Sequence, residues 1–346
     1  MKSHAYHIRP AEVARLLGGL LPAPIVFAGV MWLGALSGIL PAPWPALDVD
    51  RTILVHQAQA SQSPADADVL FIGDSSCLMD VAGVKLEQAL AEKHHVLNLG
   101  TFMYVGFGGY SAMLSRYADA NPGRLRTVVV LVHPEMLRGM DAPAYYRRFL
   151  SDFYAGADLR EPDSVHGQLC GVFGLNIFQD RFLGRAPLPL PKEWARFYGF
   201  NLDLYQFMNR ERGSAVDPHQ YAAGPGQGNA EYHLAPALQD QCRALRAALP
   251  PSARVVVGLA PVPESFAPPD HTSRCQRILA QWAEWVGADG VLASLPMSMP
   301  DRFFASTTHL NAAGRLAYSE LLARELQPQL EAAANKHPPY KAADEK

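Results

Sequence analysis

The chain has 346 residues, 49% of them hydrophobic, and a formal net charge of -3 at pH 7. This length accommodates two average domains or one enlarged domain, and the composition excludes a disordered or fibrous protein. The near-neutral charge, without a block rich in lysine and arginine, excludes nucleic acid as an expected partner. The four cysteines are widely spaced and match neither a CxxC pair nor a zinc pattern, so we expect no metal and no cofactor. A Cys242–Cys275 disulfide is left open.

The first predicted element is a membrane-spanning helix at residues 16–40, a stretch without a charged side chain. At about 1.5 Å per residue, such a helix is long enough to cross a hydrocarbon core of about 30 Å. Lys2, Arg9 and Arg15 precede the span and aspartates follow it, so the positive-inside rule leaves residues 1–15 in the cytoplasm and the rest of the chain outside it. The alternative is a cleaved signal peptide, although this apolar run is longer than a typical signal core.

Residues 41–66 are rich in proline and small polar residues, which predicts a linker or a poorly packed helix. Beyond them, short apolar runs alternate with helical patterns. This alternation predicts a three-layer α/β/α domain with a parallel sheet, built from residues 67–140 and 236–333. The predicted strands are 69–73, 95–100, 127–132, 254–262 and 290–294.

Residues 141–235 interrupt the alternation and are rich in aromatic side chains. We interpret them as a mostly helical insertion. Its aromatic side chains either line a carbohydrate groove, contact a membrane partner, or simply pack against the core. The polar tail at 334–346 is predicted to be disordered.

Two short motifs contain candidate catalytic residues. GDSS at 73–76 follows the first strand, and THLNAAG at 308–314 precedes the last helix. Each is weak alone, because a Gly-Asp-Ser turn is an ordinary helix start and a lone histidine is usually structural. Together they place Ser75 and His309 at the same rim of a parallel sheet, where they can act as nucleophile and general base.

These two motifs resemble the first and last blocks of the SGNH (GDSL-type) hydrolases, and NLGT at 98–101 is similar to the family's second block. The resemblance covers about residues 67–140 and 236–330. It implies a flavodoxin-like α/β fold in which Ser75 accepts the acyl group and His309 is its base. It also implies that the backbone N–H groups of Ser75 and Gly100 face the developing oxyanion.

Two positions depart from the family's pattern. Ser306 stands where the family has an aspartate three residues before the histidine, and VHPE at 132–135 replaces the block that supplies an asparagine. His133 is the candidate replacement for that asparagine as an oxyanion donor. The candidates to orient or charge-balance His309 are Asp74, Glu135, Asp301 and Ser306.

An N-terminal anchor before such a domain resembles the proteins that work beside a polytopic membrane acyltransferase in making bacterial cell-surface polysaccharides. It implies a single-pass inner-membrane protein whose periplasmic domain transfers an acyl group, expected to be acetyl, to or from a carbohydrate. A periplasmic esterase would use the same serine chemistry with water as the acceptor. The missing aspartate and asparagine leave a third alternative, a scaffold of a polysaccharide biosynthesis complex that has kept the fold and lost the reaction.

Overall fold

The computed structural model describes residues 10–20, a few residues between 22 and 30, and then 49–139, 141–156, 202–222 and 232–336. The chain divides into two compact units. One comprises Met1–Asp48 and Asp158–Asn201, and the other comprises Val49–Ala157 and Leu202–Lys346. The second unit contains both sequence motifs.

The predicted membrane span at residues 16–40 lies largely outside the described residues. Where the chain is described, no helix is both long and apolar enough to cross a membrane. The described helix in this region, α1 (Pro10–Leu20), begins before the predicted span. The span and the cytoplasmic placement of residues 1–15 therefore stay predictions.

A five-stranded sheet forms the centre of the second unit, and every neighbouring pair of its strands is parallel. The predicted α/β fold with a parallel sheet is confirmed. Strands β1 (Val69–Gly73) and β3 (Thr127–Val132) are buried along their whole length, which explains their continuous apolar sequences. The order is β2-β1-β3-β4-β6, with β1 (Val69–Gly73), β2 (Val96–Asn98), β3 (Thr127–Val132), β4 (Arg254–Leu259) and β6 (Gly290–Val291). A separate parallel pair joins β5 (Val262–Pro263) and β7 (Ser298–Met299).

The helices of this unit contact one another in two groups. In one group, α10 (Ala312–Lys336) packs on α3 (Ser75–Asp80) and α4 (Gly83–Ala89). In the other group, α2 (Val49–Ser61) and α8 (Gln239–Ala247) both pack on α5 (Gly106–Ala120). A core cluster joins Phe71 and Leu131 of the sheet to Tyr318 and Leu322 of α10. The helices are α2 (Val49–Ser61), α3 (Ser75–Asp80), α4 (Gly83–Ala89), α5 (Gly106–Ala120), α6 (Ala144–Tyr154), α7 (Leu202–Arg210), α8 (Gln239–Ala247), α9 (His271–Val286) and α10 (Ala312–Lys336).

The sequence predicts a linker or a poorly packed helix at 41–66, and the structure has a well-packed helix, α2, in this region. Its Ile53, Leu54 and Val55 are fully buried, and the helix contacts α5, α6 and α7. The compact unit therefore includes this helix and begins at Val49, well before the predicted domain start at residue 67. The reason is that α2 supplies both apolar contacts and hydrogen bonds to the core.

The predicted insertion at 141–235 is described in part. Its helices α6 and α7 both pack against α2, so they belong to the same compact unit as the sheet. Residues 157–201 and 223–231 lie outside the described part of the chain. Helix α10 continues to Lys336, into the predicted tail. The rest of that tail lies outside the described residues.

The Cys242–Cys275 disulfide is not formed. The two cysteines lie on α8 and α9, which pack against each other, but both are free and buried thiols. Burial raises the pKa of Cys242 to about 11 and that of Cys275 to about 12. Both sulfurs are therefore protonated at neutral pH and behave as small apolar groups.

Candidate active site

Ser75 lies where β1 turns into α3. The strand ends at Gly73, where a Cβ atom would sit 1.7 Å from the carbonyl oxygen of Leu131, so no side chain fits. Asp74 then caps the helix, accepting the backbone N–H of Ser76 at 3.0 Å. Ser75 is thus the first residue of α3, where a backbone N–H has no acceptor within the helix.

His309 lies in the turn before α10. Asn311 begins that helix, because its Oδ1 accepts the backbone N–H groups of Ala313 at 3.1 Å and Gly314 at 3.0 Å. The turn brings the imidazole to the rim of the sheet, where His309 Nε2 lies 2.9 Å from Ser75 Oγ. The structure therefore brings together the two side chains that the sequence motifs paired.

Asp217 faces the other imidazole nitrogen, although it lies in none of the sequence motifs. Its Oδ2 lies 3.1 Å from His309 Nδ1. Hydrogen bonds from His309 and from His219 hold the pKa of Asp217 well below its ordinary value. The ionised carboxylate only accepts hydrogen bonds, so His309 carries its proton on Nδ1 and its Nε2 accepts from Ser75 Oγ.

The segment that carries Asp217 is held between α3 and β2. The carbonyl oxygen of Leu78 accepts the backbone N–H of Ala215 at 3.0 Å, and the carbonyl oxygen of Arg212 accepts that of Asn98 at 2.8 Å. These two bonds place the segment beside the helix that begins with Ser75. They explain how an aspartate from the predicted insertion reaches the rim of the sheet.

Gln57 of α2 links the same segment to the loop after β2. Its amide donates to the carbonyl oxygen of Gly100 at 2.7 Å and to that of Gly213 at 3.0 Å. Gln57 is fully buried, so these bonds satisfy a polar group that would otherwise be costly to bury. Helix α2 is therefore part of the framework of the candidate site.

Asp74 does not orient His309 through a hydrogen bond. Its two oxygens bind the backbone N–H groups of Ser76 at 3.0 Å and His133 at 2.9 Å. Burial raises the pKa of Asp74 to about 6, and the charge that His309 can carry lowers it by a smaller amount. Asp74 thus fixes the turn that holds Ser75.

Glu135 and Asp301 do not contact the imidazole either. Glu135 pairs with Arg138 at 2.6 Å, and Asp301 accepts the backbone N–H of Ser265 at 3.0 Å. The prediction that one of them orients His309 is therefore wrong. Asp217 occupies that place.

Ser306 contacts the backbone of His309 and not its ring. Its Oγ accepts the N–H of His309 at 3.0 Å and that of Thr308 at 3.3 Å. Such a serine turn shapes the loop without a charge. The orienting acid comes instead from 92 residues earlier in the chain, and no spacing rule connects the DPH tripeptide at 217–219 to His309.

The backbone N–H of Gly100 is already engaged. It donates to Asn98 Oδ1 at 2.8 Å, so it does not face an oxyanion in this conformation, contrary to the expectation from the family. A Cβ at Gly100 would lie 2.4 Å from the backbone nitrogen of Leu78. The glycine is therefore required by the close approach of α3 to this loop.

His133 follows β3 directly and is 1% exposed. Its Nδ1 accepts the backbone N–H of Glu135 at 3.2 Å, which puts the ring proton on Nε2. Burial lowers the pKa of His133 to about 3, so the ring is neutral at physiological pH. Among the described residues, Nε2 has no hydrogen-bond partner. A buried donor without an acceptor is unusual and is typical of a group that awaits a ligand or a transient charge.

In the part of the chain that the structure describes, no group of three His, Cys, Asp or Glu side chains is placed to hold a metal ion. No protein-family model and no curated protein matches the chain. The function is therefore inferred from the side chains of the site. A serine hydroxyl, an imidazole and an ionised carboxylate bonded in series are the groups that activate a serine nucleophile.

Proposed function

We propose that this chain is an SGNH-like serine acyltransferase or esterase with Ser75 as its nucleophile. The observation that carries the proposal is the series Ser75 Oγ–His309 Nε2 at 2.9 Å and His309 Nδ1–Asp217 Oδ2 at 3.1 Å. The strand order β2-β1-β3-β4-β6 supports a flavodoxin-like, three-layer α/β/α arrangement, since such sheets have the order 2-1-3-4-5, with the first strand between the second and the third. Asp217 also removes one reason to regard the site as weakened.

The reaction would proceed through an acyl-serine. His309 takes the proton of Ser75 as Oγ attacks the acyl carbonyl, and Asp217 stabilises the imidazolium that forms. His309 then gives this proton to the leaving alcohol as its bond to the acyl carbon breaks. In the second half, an acceptor hydroxyl loses its proton to His309 and takes the acyl group, and Ser75 regains its proton.

Two donors are available for the negative charge on the tetrahedral intermediate. The backbone N–H of Ser75 is the first N–H of α3, and the helix dipole adds to its effect. The neutral His133 supplies a buried Nε2–H that no described residue accepts. Since its backbone N–H binds Asp74, next to the nucleophile, His133 is fixed relative to Ser75.

We place this chemistry in the bacterial periplasm, on a protein anchored in the inner membrane by the predicted span at 16–40. The acceptor would be a carbohydrate of a cell-envelope polysaccharide or exopolysaccharide, and the acyl group acetyl. A polytopic membrane acyltransferase or another polysaccharide synthesis protein would be the partner. The uncharged apolar run and the positive residues before it support the anchor.

A non-catalytic scaffold is the second candidate, favoured by one observation. The N–H of Gly100 is bonded to Asn98, so the site lacks one of the donors that the family uses. The loss of one oxyanion donor typically costs about 10²–10³ in rate. A simple esterase stays possible as a variant of the first proposal, because the acceptor is set by water exclusion around Ser75.

Labelling with a fluorophosphonate probe separates these candidates. In this reaction Ser75 Oγ forms a bond to phosphorus, fluoride leaves, and His309 takes the serine proton. We expect the full-length chain to be labelled and Ser75→Ala not to be. Asp301→Asn serves as the control, because Asp301 binds Ser265 and not the imidazole. Equal labelling of the wild type and Ser75→Ala, or none in either, would refute the enzyme proposal in favour of the scaffold.

A further inference from the structure

We propose that Ser76 and Asp80 are positioning residues that hold the His309 turn against the helix that begins with Ser75. The inference rests on the proposed function, since it assigns these residues a role in the same reaction. The two side chains lie four residues apart on α3 and therefore on one face of the helix. Each binds a backbone group of a residue next to His309.

The bonds flank His309 on both sides. Ser76 Oγ donates to the carbonyl oxygen of Thr308 at 2.8 Å, and Asp80 Oδ1 accepts the backbone N–H of Leu310 at 2.7 Å. The turn is thus attached on either side of the base to the helix that carries the nucleophile. The 2.9 Å separation between His309 Nε2 and Ser75 Oγ then depends on a short and rigid path through α3.

The burial of Ser76 and Asp80 makes their hydrogen bonds to the turn important. Both Ser76 and Asp80 are fully buried, and a buried polar group without a partner is costly. The second oxygen of Asp80 has no hydrogen-bond partner among the described residues, so the bond to Leu310 is the hydrogen bond that this carboxyl makes there.

The surroundings of Asp80 disfavour its charged form. Burial raises its pKa well above the ordinary value, and Asp74 and Asp217 raise it further, while the nearby Arg315 lowers it. Arg315 itself is held by Glu211 at 2.9 Å. A carboxyl group and a carboxamide of the same shape both present an acceptor oxygen to the N–H of Leu310. Asparagine is therefore the conservative replacement, and alanine removes the bond.

The test compares Ser76→Ala, Asp80→Ala and Asp80→Asn with the wild-type full-length chain. The first readout is the second-order rate of labelling by a fluorophosphonate, divided by the folded fraction from circular dichroism. The second is the downfield proton resonance of the His309–Asp217 hydrogen bond, measured by NMR without any reaction. Ser111→Ala is the matched control, because its Oγ binds the carbonyl oxygen of Phe107 at 2.8 Å within α5.

We expect Ser76→Ala and Asp80→Ala to label about 10- to 100-fold more slowly per folded molecule, since small misplacements of a base are costly. Asp80→Asn should recover most of the rate, and the downfield resonance should broaden or disappear in the two alanine variants. If Asp80→Ala does not fold, Ser76→Ala and Asp80→Asn carry the test.

The positioning role is overturned if the rates per folded molecule match those of the wild type and Ser111→Ala, or if the resonance is unchanged. A wild-type chain that never labels would refute the proposed function alone. In that case the resonance still decides whether Ser76 and Asp80 hold His309 beside Asp217.

Discussion

Asp217 forms hydrogen bonds with two histidines, His309 and His219. Its Oδ2 faces His309, while its Oδ1 accepts the backbone N–H of His219 at 3.0 Å and lies 2.7 Å from the His219 ring. These bonds explain why its pKa lies below the ordinary value. Because a depressed acid pKa means that the charged form is favoured, Asp217 stays ionised through the whole neutral range.

Asp217→Asn should lower the rate of acyl-enzyme formation by up to about 10⁴-fold. The amide would favour the wrong tautomer of His309, so Nε2 would no longer accept the proton of Ser75. The measurement is kcat/KM for p-nitrophenyl acetate in the full-length chain, with Asp301→Asn as the control. A loss below about threefold, within the scatter of neutral substitutions, would remove Asp217 from the mechanism.

His133→Ala should reduce kcat by about 10²–10³-fold if Nε2–H stabilises the oxyanion. His133→Asn restores a side-chain N–H donor and should lose less. The pKa of His133 is about 3, so the ring is neutral at any assay pH above about 5 and the ratio of wild-type to variant rates should not change with pH. Equal rates in the wild type and His133→Ala would contradict the donor role.

The two residues that carry the sequence motifs could be predicted because each sits at a fixed place in the topology. Ser75 follows the first strand and His309 precedes the last helix, and a parallel sheet puts both at one edge. Asp217 could not be predicted, because its position depends on hydrogen bonds from Ala215 to Leu78 and from Asn98 to Arg212. Such contacts leave no periodic signal in the sequence.

At the scale of elements, the segment before Asp217 depends on Gly213. This residue has φ of +87°, and a Cβ there would lie 2.1 Å from the carbonyl oxygen of Asn98. The left-handed backbone and the lack of space both require glycine. The segment therefore fits between α3 and β2 only in this conformation.

Gly213→Ala should destabilise the fold by about 3 kcal/mol and slow fluorophosphonate labelling even in the folded molecules, since Asp217 would shift. Gly123→Ala is the matched control. Gly123 also has a positive φ, +74°, but open space around its Cβ position, so its cost is about 1–2 kcal/mol of backbone strain. Thermal unfolding measures both; a Gly213→Ala variant no less stable than Gly123→Ala would contradict the packing argument.

The strands were predictable as elements because their apolar, β-branched runs are buried on both faces, as in β3. The burial of α2 could not be predicted, because its sequence mixes apolar residues with buried polar ones such as His56 and Gln57. Those polar groups satisfy bonds inside the protein, so the usual contrast between an apolar and a polar face is lost. A buried helix of this kind has the composition of a linker.

For the molecule as a whole, His56 makes stability depend on pH. Burial lowers its pKa from 6.5 to about 4. The unfolded chain therefore binds this proton more readily than the native state, so the contribution of His56 is fully present above pH 6.5 and is lost as the pH falls toward 4. The same sign applies to His133, and the raised pKa of Asp74 acts in the opposite direction.

His56→Gln should make the fold less sensitive to acid. Between about pH 7.5 and about pH 5, the wild type should lose about 2 kcal/mol more unfolding free energy than the variant, because the other titrating groups are common to both. Urea unfolding of the full-length chain at the two pH values measures this difference. Equal losses would show that His56 is not buried in its neutral form.

The hydrogen bonds of Gln57 affect how far the protein can be truncated from its N-terminal side. A fragment that starts at residue 67 would lack the side-chain amide that donates to the carbonyl oxygens of Gly100 and Gly213, and it would uncover the surface beneath Ile53. We expect such a fragment to aggregate on expression, whereas one that starts at Val49 keeps this helix. An inactive short fragment would therefore say nothing about the catalytic competence of the intact protein.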